Sequence, residues 1–412
     1  MPSKKIIVVG GGAAGLMAAG QAASHGADVY LFEKKNDCGK KLRITGKGRC
    51  NLSNNCTIKE FIGQFGKNGK FLYQSFSRFF NQDLIKFFND LGVRTSVERG
   101  GRIFPESEKA DDITEALIKY AKTNRVKIKN FAPVDKILIK DNSVIGVQIE
   151  NKKFYSDAVI ICTGGMSYPA TGSTGDGYKL LESIGHRIEK TRPALVPLIT
   201  KGDTAKNLQG LSLKNVNLKL IINSKLKREI FGEMLFTHYG LSGPIVLTIS
   251  KDAVDALDKK YNVKITIDLK PALSNEQLGN RLLREFKQHG NQQYKSILKN
   301  LLPAKLIPVC VYQTSIDADK KVNQIKSAER KIILSWLKNF QFEVLGHRTY
   351  KEAIITAGGV SLKEINPKTM ESKLINNLFI AGELLDLDGN TGGYNLQSAF
   401  STGWLAGNAS IL

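Results

Sequence analysis

Cysteine is scarce in this chain of 412 residues: there are five (Cys38, Cys50, Cys56, Cys162 and Cys310). Their number is odd, and they follow neither a C-x-x-C spacing nor a Cys/His metal pattern. A small disulfide-stapled module is excluded, no metal site is expected, and a reducing, cytoplasmic setting fits best. Long apolar runs are also missing. Only Ile6 to Gly20, preceded by Lys4 and Lys5, imitates a secretory signal, and the ordered glycines inside it argue against that reading. No other stretch reaches the eighteen or so apolar residues of a membrane span, so no membrane partner is expected. Acidic residues are in short supply, with 38 Asp+Glu against 60 Lys+Arg and a formal net charge of +22. Such a field favours anionic partners, although coding bias alone can produce it. With 42% hydrophobic and 24% charged residues, the chain is globular rather than disordered or fibrous, and long enough for two or three domains.

The chemistry begins at the N-terminus. Ile6 to Val9 is a β-branched run expected as a buried parallel strand, and Ala13 to Ser24 is expected as a helix rich in small residues. Between them lie Gly10 and Gly12, followed by Gly15 inside the helix. Gly10 permits the turn, Gly12 lets the backbone approach a pyrophosphate, and Gly15 lets helix and strand lie close, with Ala13 and Ala14 in the first helical turn beside the phosphates. A second strand, Ala27 to Phe32, ends in Glu33, a carboxylate placed to accept hydrogen bonds from ribose hydroxyls. The fingerprint serves NAD and FAD alike. Two later strands favour FAD: Ala158 onward, ending in Thr163-Gly164-Gly165, and Leu378 onward, ending in Gly382-Glu383. A cofactor long enough to touch both ends of the chain suits an extended FAD. After Gly389, Gly392 and Gly393 comes a helix-like stretch from Tyr394 to Ala406, which would aim backbone N–H groups at the flavin edge.

Five ordered blocks then carry a resemblance along nearly the whole chain. They are Gly46-Lys47-Gly48-Arg49-Cys50-Asn51; Thr163 to Pro169 with Thr171 to Gly177; Phe236 to Pro244; Pro367 to Ser372; and Gly382-Glu383 through Gly392 to Gln397. Together they resemble the signature of the BaiN/YhiN-like bacterial FAD-dependent oxidoreductases. The resemblance implies an α/β fold with a Rossmann-like FAD-binding domain of the two-dinucleotide-binding-domain flavoprotein type, carrying an inserted β-rich and helical region. It implies that Gly46, Asn51, Val134, Tyr394, Asn395 and Leu396 join the cofactor site. The activities it implies are scattered: reduction of a ring double bond in a dehydro bile acid, oxidation of a small amine, and reduction of uridine to dihydrouridine in ribosomal RNA.

The flavin domain is expected to be discontinuous, spanning residues 1–191 and 351–412. The insertion is expected to be β-rich over 192–270 and about 341–350, with strands at Val216 to Ile222 and Val263 to Leu269, and helical over 271–340, where Ser274 to Gln277 forms a capping box. Phe71 to Phe88 carries aromatic residues at helical spacing within Asn68 to Leu91, a stripe expected to be core, with Gly92 as its stop. Arg192 to Tyr350 holds 26 Lys+Arg against 13 Asp+Glu, a net +13. A second basic cluster follows Glu33; Lys34, Lys41 and Arg49 within it are expected to help neutralise the FAD pyrophosphate.

No second glycine fingerprint follows a strand, so NADPH or NADH, as reductant, would dock transiently. Reduction of a polarised C=C bond needs hydride on one carbon and a proton on its neighbour. His238 and Tyr239, in a Gly- and Pro-flanked loop, are candidate donors, with an ordering role for His238 as the plainer reading. Cys50 beside Arg49 is another, as an acid or as an activated thiolate, unless it is a small packing residue. Cys162 is expected to be structural. The leading substrate is uridine in ribosomal RNA; a small-molecule ene reductase, an amine oxidase and a non-catalytic FAD-scaffolded binding protein are the alternatives.

Overall fold

The computed structural model describes residues 3–412. Its central element is a five-stranded, all-parallel sheet built from β1 (Lys5–Val9), β2 (Asp28–Phe32), β3 (Lys127–Lys129), β4 (Ala158–Ile161) and β5 (Leu378–Ile380), in the order β5-β4-β1-β2-β3. Ile6, Ile7, Val8 and all four residues of β4 are buried, as a strand covered on both faces requires. Chain order reverses at β1, which makes its carboxyl end the topological switch point where open α/β sheets bind their ligands. Val9 is level with both Phe32 and Ile161, and Ile161 with Ile380. Four strands therefore end at one edge and deliver Gly10, Glu33, Thr163 and Gly382 to the same side.

The helix α1 (Ala13–Ser24) covers β1 and is crossed by the terminal helix α2 (Tyr394–Ala409). The crossing is made by glycine. A Cβ on Gly403 would stand 2.3 Å from the Ala14 carbonyl oxygen, and one on Gly407 2.5 Å from that of Ala18.

The chain divides into two compact units, one ending at Ala194 and resuming at Tyr350, the other Leu195–Thr349. The expected changes were at residues 191 and 351. In the first unit, the antiparallel strands Ile188–Ala194 and Ile355–Val360 pair, with Ala194 opposite Ile355. The second unit contains a closed antiparallel barrel of six strands, Leu198–Thr200, Gly240–Ser242, Lys225–Thr237, Ser212–Ile222, Val263–Asp268 and Phe340–His347 in that order around the barrel. Leu218, Leu220, Phe236, Ile265 and Phe340 fill it, joined in one cluster by Leu278, Leu282, Ile333 and Leu337 of the helical part.

Two expectations are corrected. The aromatic stretch is not one helix: Gly66–Leu72 is a 3-10 segment, Tyr73–Phe76 one helical turn, and Asn81–Asp90 a separate helix. Phe80 is extended, and its N–H donates to Asp83 Oδ2 at 2.8 Å, so local capping stops the helix from continuing back through Phe79. Second, a 15-residue helix, Pro244–Asp258, interrupts the expected β-rich segment and buries Ile245, Val246, Ile249 and Ala253.

Candidate functional site

Beyond β1 the chain turns at Gly10, whose φ of +101° and whose Cβ position, 2.6 Å from the Cys162 carbonyl oxygen, admit only glycine. A Cβ on Gly15 would lie 1.9 Å from the Gly10 oxygen, so α1 is held against the turn. Around Gly12 the opposite holds, since a Cβ there would meet nothing within 4 Å. Gly12 caps α1 without any side-chain acceptor, leaving the N–H groups of the first turn, at Ala13 and Ala14, for an external anion.

Glu33 anchors the neighbouring turns. Its Oε2 accepts from Gly11 N–H and its Oε1 from Lys35 N–H, each at 2.8 Å. A carboxylate has about four acceptor positions, so two remain for ribose hydroxyls. The loop after β4 comes to the same place: Gly172 approaches Lys34, Lys35 and Glu33, and Lys34 binds Thr174 and Asp176. Val134, partly buried against the core, follows β3 in this neighbourhood. The Thr171 to Gly177 block therefore acquires a location that the sequence reading did not assign.

A second cluster gathers Lys41, Ser167, Thr356 and Glu383. The Lys41 ammonium donates to Glu383 Oε2 at 2.6 Å and to Ser167 Oγ at 2.5 Å, while Glu383 Oε1 accepts from Ser167 Oγ and Thr356 N–H at 2.8 and 2.9 Å. Gly165 packs against this group, its missing Cβ leaving room for Thr356 Oγ1. Thr356 went unnoticed in the sequence, where an isolated threonine in a β-branched run gives no signal.

The third part joins the Gly46 block to α2. Gly46 and Lys47 are left-handed. In the amide orientation that satisfies its neighbours, Asn51 donates to the carbonyls of Ile103 and Ser53 and accepts from Gly393 N–H at 3.0 Å. Gly393 has a φ of +95°, and a Cβ on it would lie 2.2 Å from the Ser53 oxygen. Asn395 binds both the N–H and the carbonyl of Gly389, at 2.8 and 2.9 Å, which fixes the turn before α2. Leu396 packs on the core.

Several expected side-chain roles change. Arg49 binds Glu98 and Glu108 and stacks on Phe104 at 4.2 Å, and Lys34 and Lys41 are paired as described, so these cations balance protein carboxylates. The Tyr394 ring packs edge-on against Phe61 at 4.7 Å and its hydroxyl meets Cys56, so its side chain belongs to the core. Cys50 is fully buried, in a left-handed conformation, and burial pushes its thiol up to about 12. With Arg49 already neutralised, nothing activates a Cys50 thiolate, and that reading is withdrawn. Cys162, just past β4, is buried too, its thiol likewise raised to about 12. In the inserted unit His238 is exposed, its ring edge-on to Tyr239 at 4.7 Å, and the Arg348 guanidinium lies over the Tyr239 ring at 4.5 Å. Thr237, not His238, orders that loop, through both polar groups of Gly240.

The residues present fit FAD. Two helix N-termini, those of α1 and α2, have no side-chain cap. Within the signature blocks, buried Arg49 Nε, Ser53 Oγ, Thr163 Oγ1 and Gln397 Oε1 have no protein partner among the described residues, which is the pattern left where a polar ligand completes the bonding. Among the described residues, no cluster of three or more His, Cys, Asp or Glu suits a metal ion, and no helix is long and apolar enough to cross a membrane.

The chain matches the model of the HI0933-like protein Rossmann domain over residues 4–409. It is 31% identical to a 3-dehydro-bile acid delta(4,6)-reductase of Clostridium scindens over 408 residues, covering 98% of both chains. It is also 31% identical to a ribosomal RNA dihydrouridine synthase of Haemophilus influenzae, covering 97% of this chain and 96% of that one. Among solved structures, a 3-ketosteroid delta1-dehydrogenase from Sterolibacterium denitrificans aligns over the full length of both chains with a TM-score of 0.54 at 12% identity. A flavocytochrome c3 fumarate reductase aligns over 99% of this chain and 78% of that one with a TM-score of 0.52 at 18% identity, and both likenesses concern the fold alone.

Proposed function

Because the chain belongs to the HI0933-like Rossmann-domain family and is an FAD-dependent oxidoreductase, we propose that it reduces the C5=C6 bond of a uridine in ribosomal RNA to dihydrouridine at the expense of NADPH or NADH. The observation that carries this reading is the charge of the segment Arg192 to Tyr350, with 26 Lys+Arg against 13 Asp+Glu, in a chain that aligns along 97% of its length with a ribosomal RNA dihydrouridine synthase. Phosphate contacts dominate RNA affinity, and a basic unit supplies them.

When bound, FAD supplies hydride exchange at the flavin N5. The chain does the rest. The Gly10 to Gly12 turn and the first turn of α1 receive the pyrophosphate, Glu33 takes the ribose hydroxyls, and the α2 N-terminus offers N–H groups to developing negative charge. The nicotinamide coenzyme docks transiently, since the chain has one glycine fingerprint. Tyr239 or His238 holds the proton delivered to the carbon beside the one that receives hydride.

The decisive experiment is deletion of the gene in its host, with dihydrouridine mapped across ribosomal RNA by mass spectrometry and complementation by wild type and Tyr239→Phe. Loss of one or more dihydrouridines, restored by wild type, is expected; an unchanged map defeats the reading. The competing reading, reduction of a ring double bond in a small metabolite, draws on the equal identity to the bile acid reductase. It predicts an intact RNA map and NAD(P)H consumption with a conjugated ring ketone.

A further inference from the structure

The helix Asn275–Gln288 buries Leu278, Leu282 and Phe286 on one side. On the other, Gln277, Arg281, Arg284 and Gln288 recur every three or four residues and so stand in one row. With Asn280 and Leu283 beside them and Leu273 at the end, they line an open cavity of about 950 Å³. Charge there is unbalanced. Arg284 has no ion-pair partner among the described residues. Arg281 donates to the Asn300 carbonyl at 3.3 Å and approaches Glu285 only to 4.0 Å. Lys270, just beyond the barrel strand Val263–Asp268, is half-buried and unpaired with any carboxylate among the described residues; burial, and then the like charge of Arg281, hold its ammonium below the usual lysine value. Glu285, the carboxylate in the lining, is already engaged by Asn300 Nδ2 at 3.0 Å and faces His289 at 4.0 Å.

Cations gathered on one face without counter-charge repel one another, and the arrangement is relieved by an anion from outside. The geometry points to this face as the docking surface for the phosphate backbone of an RNA strand, an assignment that rests on the reading of ribosomal RNA as substrate. Three cations suit phosphates. Three carboxamides, Gln277, Asn280 and Gln288, can both donate and accept, as contacts to ribose hydroxyls and base edges demand. A cavity this open and polar is unlike the enclosed apolar slot that a ring metabolite needs.

The test uses the full-length, FAD-loaded protein and protein-free ribosomal RNA transcripts, with binding measured by filter retention as salt is varied. Arg281→Ala/Arg284→Ala should raise the apparent Kd at least about tenfold and lower the log–log salt slope by about 2, roughly 0.9 per lost phosphate contact. Arg281→Lys/Arg284→Lys should keep most of that slope and serves if the alanine variant folds poorly. Lys152→Ala/Lys153→Ala, on an exposed strand of the flavin unit, should shift the Kd by less than about twofold. Wild-type affinity and slope in both arginine variants, or an equal loss in the Lys152/Lys153 variant, overturns the assignment. So does RNA binding by wild type that is indifferent to salt. If gene deletion leaves the dihydrouridine map unchanged while arginine-dependent RNA binding persists, the substrate reading fails and the surface stands; a map that depends on the gene, with variants that bind as wild type, gives the reverse.

Discussion

Single side chains in this protein are placed by partners far away in sequence, and His186 shows how much that decides. Its Nδ1 lies 3.0 Å from Glu364 Oε2 and its Nε2 2.9 Å from Ser372 Oγ, the connectivity of a hydrolytic triad. Ser372 Oγ, however, is buried and accepts from the N–H groups of both Leu374 and Ile375 at 3.0 Å. Its own proton therefore goes to Nε2, which must be unprotonated, and Nδ1–H goes to Glu364. The trio closes a turn within the Pro367 to Ser372 block and is no hydrolase site. Burial, opposed by Glu364, holds the imidazole below its ordinary value of 6.5. The unfolded chain binds that proton more readily, so the stability gained by keeping His186 neutral is present above about pH 6.5 and is lost as pH falls below it. Urea unfolding from pH 5 to 8 should show wild-type stability falling on the acid side of that value and a flatter profile for His186→Gln. Identical profiles would contradict the assignment.

At the scale of elements, the crossing of α1 and α2 holds the cofactor cradle together, because the two uncapped helix N-termini belong to these helices. Gly382 N–H, just past β5, is tied into the same packing through Thr402 Oγ1 at 3.0 Å. Gly403→Ala puts a methyl 2.3 Å from a backbone oxygen that cannot move aside. Overpacking of this kind costs about 1–3 kcal/mol, and a melting temperature several degrees lower by calorimetry, with less FAD retained, is expected. The elements that sequence made legible are those with local signals. β1, the glycine turn, α1 and the acid after β2 carry their instructions within some thirty residues, and the capping box at Ser274 forms as expected. Where the decisive partner is remote, the reading failed: Lys34, Lys41 and Arg49 look like free cations until Asp176, Glu383 and Glu98 arrive from other parts of the chain. The helix Pro244–Asp258 did have a local signal, Pro244 at its first position followed by apolar residues at helical spacing, but the flanking β-like runs masked it.

For the molecule as a whole, the first unit is complete without the chain between its two segments. Ala194 and Ile355 face each other across one antiparallel pair, so the ends left by removing Leu195–Thr349 are already neighbours and a short linker closes them at small entropic cost. A chain with a few Gly and Ser residues in place of Leu195–Thr349 should be recovered yellow, with bound FAD detected by absorbance, and should show a much weaker salt-dependent association with RNA. A colourless, aggregated product would mean that the flavin unit needs its insertion.

The discontinuity also sets a schedule. β4 leaves the ribosome long before β5 and α2, which are the last elements made, and at roughly 5–20 residues per second the interval is on the order of ten seconds or more. Throughout it, the nascent sheet exposes the edge of β4 that β5 will cover, and the glycines at 403 and 407 have yet to meet α1. The nascent chain thus carries an open, strongly apolar strand edge for the whole time that the barrel is being translated, a window in which a chaperone has something to hold and premature FAD has nowhere complete to bind.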